Sequence, residues 1–513
     1  MSTAKQSYHY VYMVAGVASM GGFLFGYDQG NMSEILQMKR FLSYFNEPDT
    51  LQQSIITSML TLGCFLGALL AAPLADRISR KYTIVAACVV FIIGSALQTG
   101  SINQGMLIAS RIIAGLGVGI LSMIVPLFQS EIAPPEIRGR LVTLQQFAIT
   151  IGIMVAFWIG YGSSKIDGTA SFRLPLGIQI VPGLILLVSI LFMPFSPRWL
   201  VDKDREDEAL VVLAKLRAGG DTEAPHVLEE FNQIRELARK EKEISARSYL
   251  DLFRGNVRRR VLLGIGIQML QQLTGINVVM YYAPKIFKQT GLTGDSAPLL
   301  AQGLNGCLNV LCTIPAILYI DRLGRRMTMI AGAAGMAISY LIIGVVMGTH
   351  GTPKEDGADM SMVFDNKAAS KATIAFVYIF VASFACSWGP IGWIYPSEIF
   401  PMRVRAKGNS LTTAANWLFN FGVAQIAPIV MHKITWGLYI IFACLNLLAL
   451  VCAFLFYPET KGVQLEDMDK VFSQSVWAFK VRKPEPTSPP NEKEYVGGAA
   501  YEFPTAIEGN NMA

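Results

Sequence analysis

Twelve stretches of roughly 20 mainly apolar residues recur along this chain, each about the length a helix needs to cross the hydrocarbon of a bilayer. They run approximately from Tyr10 to Tyr27, Gln52 to Ala75, Thr83 to Thr99, Gly105 to Phe128, Leu141 to Tyr161, and Leu174 to Phe195. The second six run from Val261 to Tyr282, Pro298 to Ile320, Met327 to Gly348, Ala372 to Tyr395, Gly408 to Met431, and Trp436 to Tyr457. Backbone polar groups in lipid must be satisfied within the chain, so stretches of this length predict an all-α bundle of spanning helices. The composition agrees: 52% of residues are hydrophobic and 16% charged, against about 25% charged in a soluble domain. The first stretch lacks a small-residue cleavage site and runs directly into Asp28, so it reads as a helix rather than a removable leader.

Lysine and arginine in the loops set the orientation. With the N-terminus cytoplasmic, the outer loops hold Lys39, Arg40, Lys165, Arg173, Lys285, Lys288, Lys354, Lys367, Lys371 and Lys433, while the greater share of the 43 basic residues falls on the inner side. Both termini are therefore expected in the cytoplasm. The segment 196–260 interleaves charges of both signs, with helical patterning from Glu206 to Leu216 and Val227 to Lys242, and reads as a cytoplasmic connector between bundles 1–195 and 261–457. The polar tail 458–513 is expected to be largely disordered past Lys480. A net charge of +6, dispersed along the chain, gives no nucleic-acid footprint.

The loops repeat. ADRISRKYTIV, with Asp76 and Arg77, matches IDRLGRRMTMI, with Asp321 and Arg322, after the second and eighth spans. After the fourth and tenth, SEIAPPEIRGR and SEIFPMRVRAK share a glutamate and an arginine seven residues later, Glu131 with Arg138 and Glu398 with Arg405. PFSPRWL at Pro194 and PETKGVQL at Pro458 form a third, weaker pair. Any one motif could be a solvated basic loop, but three at matching places imply two six-helix halves, the arrangement of transporters with a site between repeats. Carboxylates and arginines at inner helix ends can pair across the halves when that side is closed and part when it opens. Asp76, Arg77, Glu131, Arg138, Asp321, Arg322, Glu398, Arg403 and Arg405 are the gate candidates.

Polar side chains within spans are costly without a partner or a role. The carboxamides stand out: Gln145 and Gln146 in the fifth span, Gln268, Gln271, Gln272 and Asn277 in the seventh, Asn305 and Asn309 in the eighth, and Asn416 and Asn420 in the eleventh. An amide both donates and accepts, which suits a ligand rich in hydroxyls; amides also bond helix to helix with no ligand involved. Gly275, between Gln272 and Asn277, is expected to break its helix and turn both side chains inward. Asp28 and Arg111 are read as the one acid and one base well within spans, either a static ion pair or a protonatable couple. Gly115, Gly117 and Gly119 fit close helix packing better than a phosphate loop, since no strand precedes them. The sequon at Asn31 lies too near the membrane for a glycan.

GGFLFGYD from Gly21, RIIAGLGVG from Arg111, QQLTGINVVMYYAP from Gln271, SWGPIGWIYPSEIFPMRVRAKG from Ser387 and PETKG from Pro458 together resemble the sugar-porter branch of the major facilitator superfamily. Within it the chain is most similar to fungal proton-linked hexose and pentose carriers. The resemblance implies alternating access to a neutral monosaccharide held between two six-helix bundles. It selects Gln146, Gln271, Gln272, Asn277, Asn309, Trp393 and Asn416 as sugar contacts and has Phe25, Tyr281, Tyr282 and Trp417 lining the same cavity. It also places the proton-carrying aspartate at Asp28, beside Arg111. Two positions depart from the family pattern: Ser79 where glycine is usual, and Phe195 where glutamate usually precedes Ser-Pro-Arg.

The expected function is secondary transport of a neutral sugar with proton symport, at the plasma membrane, by a chain working as a monomer in lipid. A passive facilitator and a non-transporting sensor on the same fold are the alternatives. No cofactor or metal is expected: the cysteines all fall in apolar stretches and the four histidines are scattered. No nucleophile constellation, HExxH motif or thiolate cluster points to an enzyme.

Overall fold

A computed structural model of the chain describes residues 8–481 apart from 244–248, 254, 256, 290–295, 357–358 and 464. The disorder expected past Lys480 therefore falls almost wholly outside the described residues. The helices in order are α1 (His9–Ile35), α2 (Lys39–Tyr44), α3 (Thr50–Ile78), α4 (Arg80–Thr99), α5 (Gln104–Ile132), α6 (Arg138–Ser163), α7 (Ala170–Ile178), α8 (Ile180–Ile190), α9 (Pro197–Asp202) and α10 (Glu206–Ala218). They continue as α11 (Pro225–Glu243), α12 (Val257–Leu273), α13 (Ile276–Gln289), α14 (Ser296–Leu323), α15 (Arg325–His350), α16 (Lys367–Cys386), α17 (Trp388–Ile399), α18 (Met402–Ile434), α19 (Gly437–Phe456) and α20 (Met468–Gln474). Among the described residues, 11 helices or continuous helix pairs are long and apolar enough to cross a membrane, and 12 when α12 and α13 count as one bent span. The fold is an all-α, multi-pass membrane bundle. A band of large apolar side chains, including Leu66, Leu70, Leu184, Phe192, Leu318 and Leu447, faces outward where lipid tails replace water as their solvent.

Several boundaries differ from the sequence reading. Helix α1 runs eight residues past Tyr27, because Asp28, Gln29, Asn31 and Glu34 are buried against neighbouring helices instead of leaving the membrane. Asn31 is fully buried and donates to Pro175 O at 3.1 Å, which excludes it as a glycan acceptor. The reading of Asp28 and Arg111 as the only acid and base well within spans is thereby corrected, since Glu34 shares α1. The sixth span is two helices, α7 and α8, and the tenth divides at Ser387. The seventh breaks at Thr274-Gly275 with a 43° bend, and Gly275 has φ +86°. A short antiparallel hairpin of β1 (Gly351–Asp356) and β2 (Asp359–Phe364), not foreseen from the sequence, fills the loop between α15 and α16.

The glycine stripe of α5 does serve packing. A Cβ on Gly115 would sit 2.3 Å from Leu60 O and one on Gly119 2.1 Å from Cys64 O, so α3 and α5 meet backbone to backbone. In the connector, α10 opens on Glu206, Asp207 and Glu208, carries Lys215 and Arg217 in its last turn and ends at left-handed Gly219, matching the helix dipole and a glycine stop. Trp199, Leu213, Val227, Phe231 and Ile234 give α9 to α11 a small core of their own. Arg217 ties this unit to the membrane bundle: it pairs with Glu230 at 2.7 Å and donates to Ile132 O, the last carbonyl of α5, at 2.9 Å.

Candidate functional site

The bend at Gly275 turns the end of α12 and the start of α13 toward α18, and the amides there form one network. Gln272 donates to Asn416 Oδ1 at 2.9 Å, and Asn416 donates to Gln271 Oε1 at 2.8 Å and to Gln268. Asn277 donates to Gln272 Oε1 across the break. Gln268 and Gln271 also bond to α17 carbonyls, at Gly392 O (2.8 Å) and Trp388 O (2.8 Å). The break is braced from behind, where Tyr340 donates to Gly275 O at 3.2 Å and Asn446 to Thr274 O at 3.1 Å.

Three contacts join this network and the neighbouring tryptophans of α17 and α18 to helices of the first half. Gln29 Nε2 donates to Asn277 Oδ1 at 2.6 Å, Trp393 Nε1 to Gln146 Oε1 at 3.1 Å, and Trp417 Nε1 to Ser122 Oγ at 2.9 Å. Phe25 packs between the two tryptophans, its ring centroid 4.8 Å from Trp417 and 6.1 Å from Trp393. Tyr281 and Tyr282 continue the lining and donate to Asn420 Oδ1 and Ala424 O. The result is a buried cluster of amides and aromatic faces between the two halves. Amides exchange hydrogen bonds with hydroxyls and aromatic faces cover C–H groups, so these side chains suit a neutral polyhydroxylated ring.

Of the residues singled out from the sequence, Gln271, Gln272, Asn277 and Asn416 join directly, and Gln146 and Trp393 pair. Asn309 is buried, but no described hydrogen bond links its side chain to the network, and its Oδ1 has no partner. Gln29 was missed because the sequence reading ended the first span two residues before it. Ser122, a lone hydroxyl in an apolar span, carried no signal.

Asp28 and Arg111 pair inside the first half at 3.3 Å, both fully buried, and Arg111 also donates to Thr57 O at 3.4 Å. Oδ2 of Asp28 and Nε of Arg111 have no hydrogen-bond partner. The Arg111 contact holds the aspartate, and the Gln98 amide lies beside it.

At the loop face the repeat becomes geometry. Arg80 holds Glu131 at 2.9 Å and Asp76 at 3.7 Å, while Arg325 holds Glu398 at 2.8 Å and Asp321 at 3.0 Å. Thr460 donates to Glu398 Oε2 at 2.9 Å in the second copy. Sequence reading missed Arg80 and Arg325; the arginines it chose in the same motifs, Arg77 and Arg322, are exposed and make no described ion pair. The closest of these pairs lie within a half, while across the halves, where pairing was expected, the Arg405 guanidinium acts on Glu131. What crosses is lighter: Arg140 N donates to Asp321 Oδ2 at 3.0 Å, Arg138 to Val463 O at 3.3 Å, and Ser410 to Ala68 O at 2.7 Å. Arg405 is buried and donates to Phe400 O, and the side chain of Arg403 lies outside the described residues.

The two departures from the family pattern are one change. Gly324 has φ +91°, ψ 162°, and a Cβ there would lie 2.4 Å from Glu459 Oε2. That carboxylate accepts from the N–H groups of Arg325 and Arg326, at 2.8 and 3.0 Å, and so caps α15. Ser79 holds the same conformation, φ +92°, ψ 161°, but the residue matching Glu459 is Phe195, whose ring stacks on Trp199 and lies 5.1 Å beneath Lys81 Nζ. With no carboxylate in the way, the serine side chain fits and caps α4 itself, accepting from Tyr82 N at 3.3 Å.

The profile of the family described as "Sugar (and other) transporter" matches residues 14–472. The chain is 42% identical over 503 residues to "MFS glucose transporter mfs1" of Aspergillus flavus, covering 95% of this chain and 94% of that one. It is 36% identical to "High glucose sensor RGT2" of Saccharomyces cerevisiae, covering 92% of this chain and 62% of the sensor. Among solved structures it resembles the proton:xylose symporter XylE bound to 6-bromo-6-deoxy-D-glucose, with a TM-score of 0.79, 28% identity, and coverage of 90% and 99%. Against inward-open XylE the TM-score is 0.66. A bundle of spanning helices with a buried amide network, a loop motif built twice, and these matches over nearly the whole length lead to one assignment: the chain belongs to the sugar transporter family of the major facilitator superfamily.

Proposed function

We propose that this protein carries a neutral monosaccharide, a hexose such as glucose or a related pentose, across the plasma membrane by alternating access coupled to proton symport. The observation that carries the reading is the buried amide and aromatic cluster whose bonds to the first half run through Gln29, Gln146 and Ser122. A ligand that takes over those bonds changes what holds the halves together, which is the differential interaction a two-state carrier needs. Residues 1–195 and 261–457 act as the moving halves, 196–260 as a cytoplasmic connector, and both termini face the cytoplasm. The chain works as a monomer and performs no bond chemistry on its substrate.

Proton coupling rests on Asp28. Ionised, it is held by Arg111; protonated, it loses that attraction and releases α1, so proton occupancy and sugar affinity become linked. The test is uptake of labelled sugars by vesicles holding the protein, with and without an imposed proton gradient. Accumulation against a concentration gradient only when protons are supplied is expected, and Asp28→Asn should abolish it while sugar exchange persists at least in part. Flux without accumulation would make the protein a passive facilitator, and binding without flux a sensor.

A further inference from the structure

Helix α1 carries a second buried acid that the proposed mechanism does not use. Glu34 is 2% exposed, and its Oε1 has no hydrogen-bond partner. Its side chain lies against Gly160 of α6, where a Cβ would come within 2.7 Å of the Glu34 Cβ, so no neighbouring side chain can reach in from that side. The charged groups of the packed elements are committed elsewhere: Arg111 of α5 to Asp28, Glu131 of α5 to Arg80, and Arg173 of α7 to Tyr44 Oη at 3.0 Å. Arg138 and Arg140 sit at the far end of α6, at the loop face; Lys285 and Lys288 of α13 have side chains outside the described residues. Helix α8 contributes no charge.

A carboxylate this buried and without an ion-pair partner is costly to ionise, which favours the protonated form of Glu34. It does not stand alone. Asp28, Asn31 and Glu34 follow one another at three-residue steps along α1, and each has a buried oxygen without a partner: Oδ2, Oδ1 and Oε1. The Asn31 amide nitrogen is occupied by Pro175 O, which fixes the amide and leaves Oδ1 as an acceptor. Six residues of helix span about 9 Å, a distance bridged by two or three waters bonded to such oxygens.

We propose that Glu34 is a second protonation site that relays the transported proton to Asp28. The step balances: protonated Glu34 gives its proton to water hydrogen-bonded at Asn31, that chain delivers a proton to the Asp28 carboxylate, and Glu34, now ionised, takes a proton from the aqueous phase when the end of α1 is hydrated. The proposal rests on the symport reading above.

The experiment compares the full chain with Glu34→Gln and Glu34→Asp in vesicles. Three readouts are taken: the infrared carbonyl stretch of a protonated carboxyl, the pH profile of concentrative sugar uptake, and sugar counterflow. The unaltered protein should show a protonated-carboxyl band that Glu34→Gln lacks. Glu34→Gln should retain counterflow but lose most of its concentrative uptake rate at neutral external pH, recovering as the medium is acidified, and Glu34→Asp should restore part of the rate. If Glu34→Gln kept an unchanged pH profile while the unaltered protein accumulated sugar, the relay would be overturned and symport would stand. Loss of counterflow in Glu34→Gln would overturn it too, making Glu34 a structural residue. If the unaltered protein accumulated no sugar, the symport reading would fall and the relay with it, although the carboxyl band would still report the proton on Glu34.

Discussion

Asn277 accepts from Gln29 of the first half and donates to Gln272, so one side chain belongs both to the amide network and to the contact between the halves. Asn277→Ala removes both bonds, each worth roughly 0.5–1.5 kcal/mol net and more where a partner is stranded. The expected outcome is an apparent KM for sugar raised about tenfold, since about 1.4 kcal/mol is a factor of ten, with normal delivery to the membrane. Initial-rate uptake over a range of sugar concentrations checks it, and an unchanged KM would remove Asn277 from the site. Ser79 offers a prediction of the opposite sign. Its φ of +92° costs a side-chain-bearing residue on the order of 1–3 kcal/mol, and Ser79→Gly relieves that strain while losing only the 3.3 Å cap to Tyr82 N. Ser79→Gly should therefore raise the thermal unfolding midpoint in detergent. The same change at a strain-free helix position would lower it.

At the scale of elements, the break between α12 and α13 decides whether the amides converge. Gly275→Ala meets two obstacles, a φ of +86° and the Phe442 ring 2.9–3.0 Å from the new Cβ. The bend must straighten or Phe442 must move, at a cost of about 1–3 kcal/mol. The variant should lose sugar binding more than stability, which ligand-induced protection against heat unfolding would report. This break was legible in the sequence because glycine is the residue that tolerates that backbone, and the span lengths and repeated loops were legible because hydropathy and motif spacing are local properties. The end of α1 was not, since Asp28, Gln29, Asn31 and Glu34 look like a chain leaving the membrane until the helices that bury them are in place. Nor could the choice of Arg80 over Arg77 be made: two arginines three residues apart are alike in one dimension, and only burial separates the one that reaches Glu131 from the one in water.

Across the whole molecule, the contacts of the loop face divide by what they hold. Arg80 with Glu131 joins α4 to α5, and Arg325 with Glu398 joins α15 to α17; each pair lies inside one half, and Glu131 is also drawn toward Arg405 of the other half. Asp321 is different, since besides Arg325 it takes Arg140 N from the other half at 3.0 Å, with Arg140 Nε at 4.0 Å. Hydrogen bonds to a charged group contribute about 1.5–3 kcal/mol, and two conformations of a carrier differ by only a few kcal/mol, so losing this contact is enough to change which is populated. Asp321→Ala should therefore open the loop face, whereas Glu459→Gln, at a carboxylate held by the Arg325 and Arg326 N–H groups of its own half, should loosen that half without favouring either side. A cysteine at Ser410, buried where α18 meets Ala68 of α3, reads the difference in a background freed of the seven native cysteines. An impermeant thiol reagent applied from the loop side should label Ser410→Cys faster, by roughly ten- to a hundredfold, once Asp321→Ala is added, since 1.4 kcal/mol is a factor of ten. It should label little faster with Glu459→Gln. Equal acceleration by both substitutions would mean that contacts within each half, and not the bond from Arg140 to Asp321, keep that face shut.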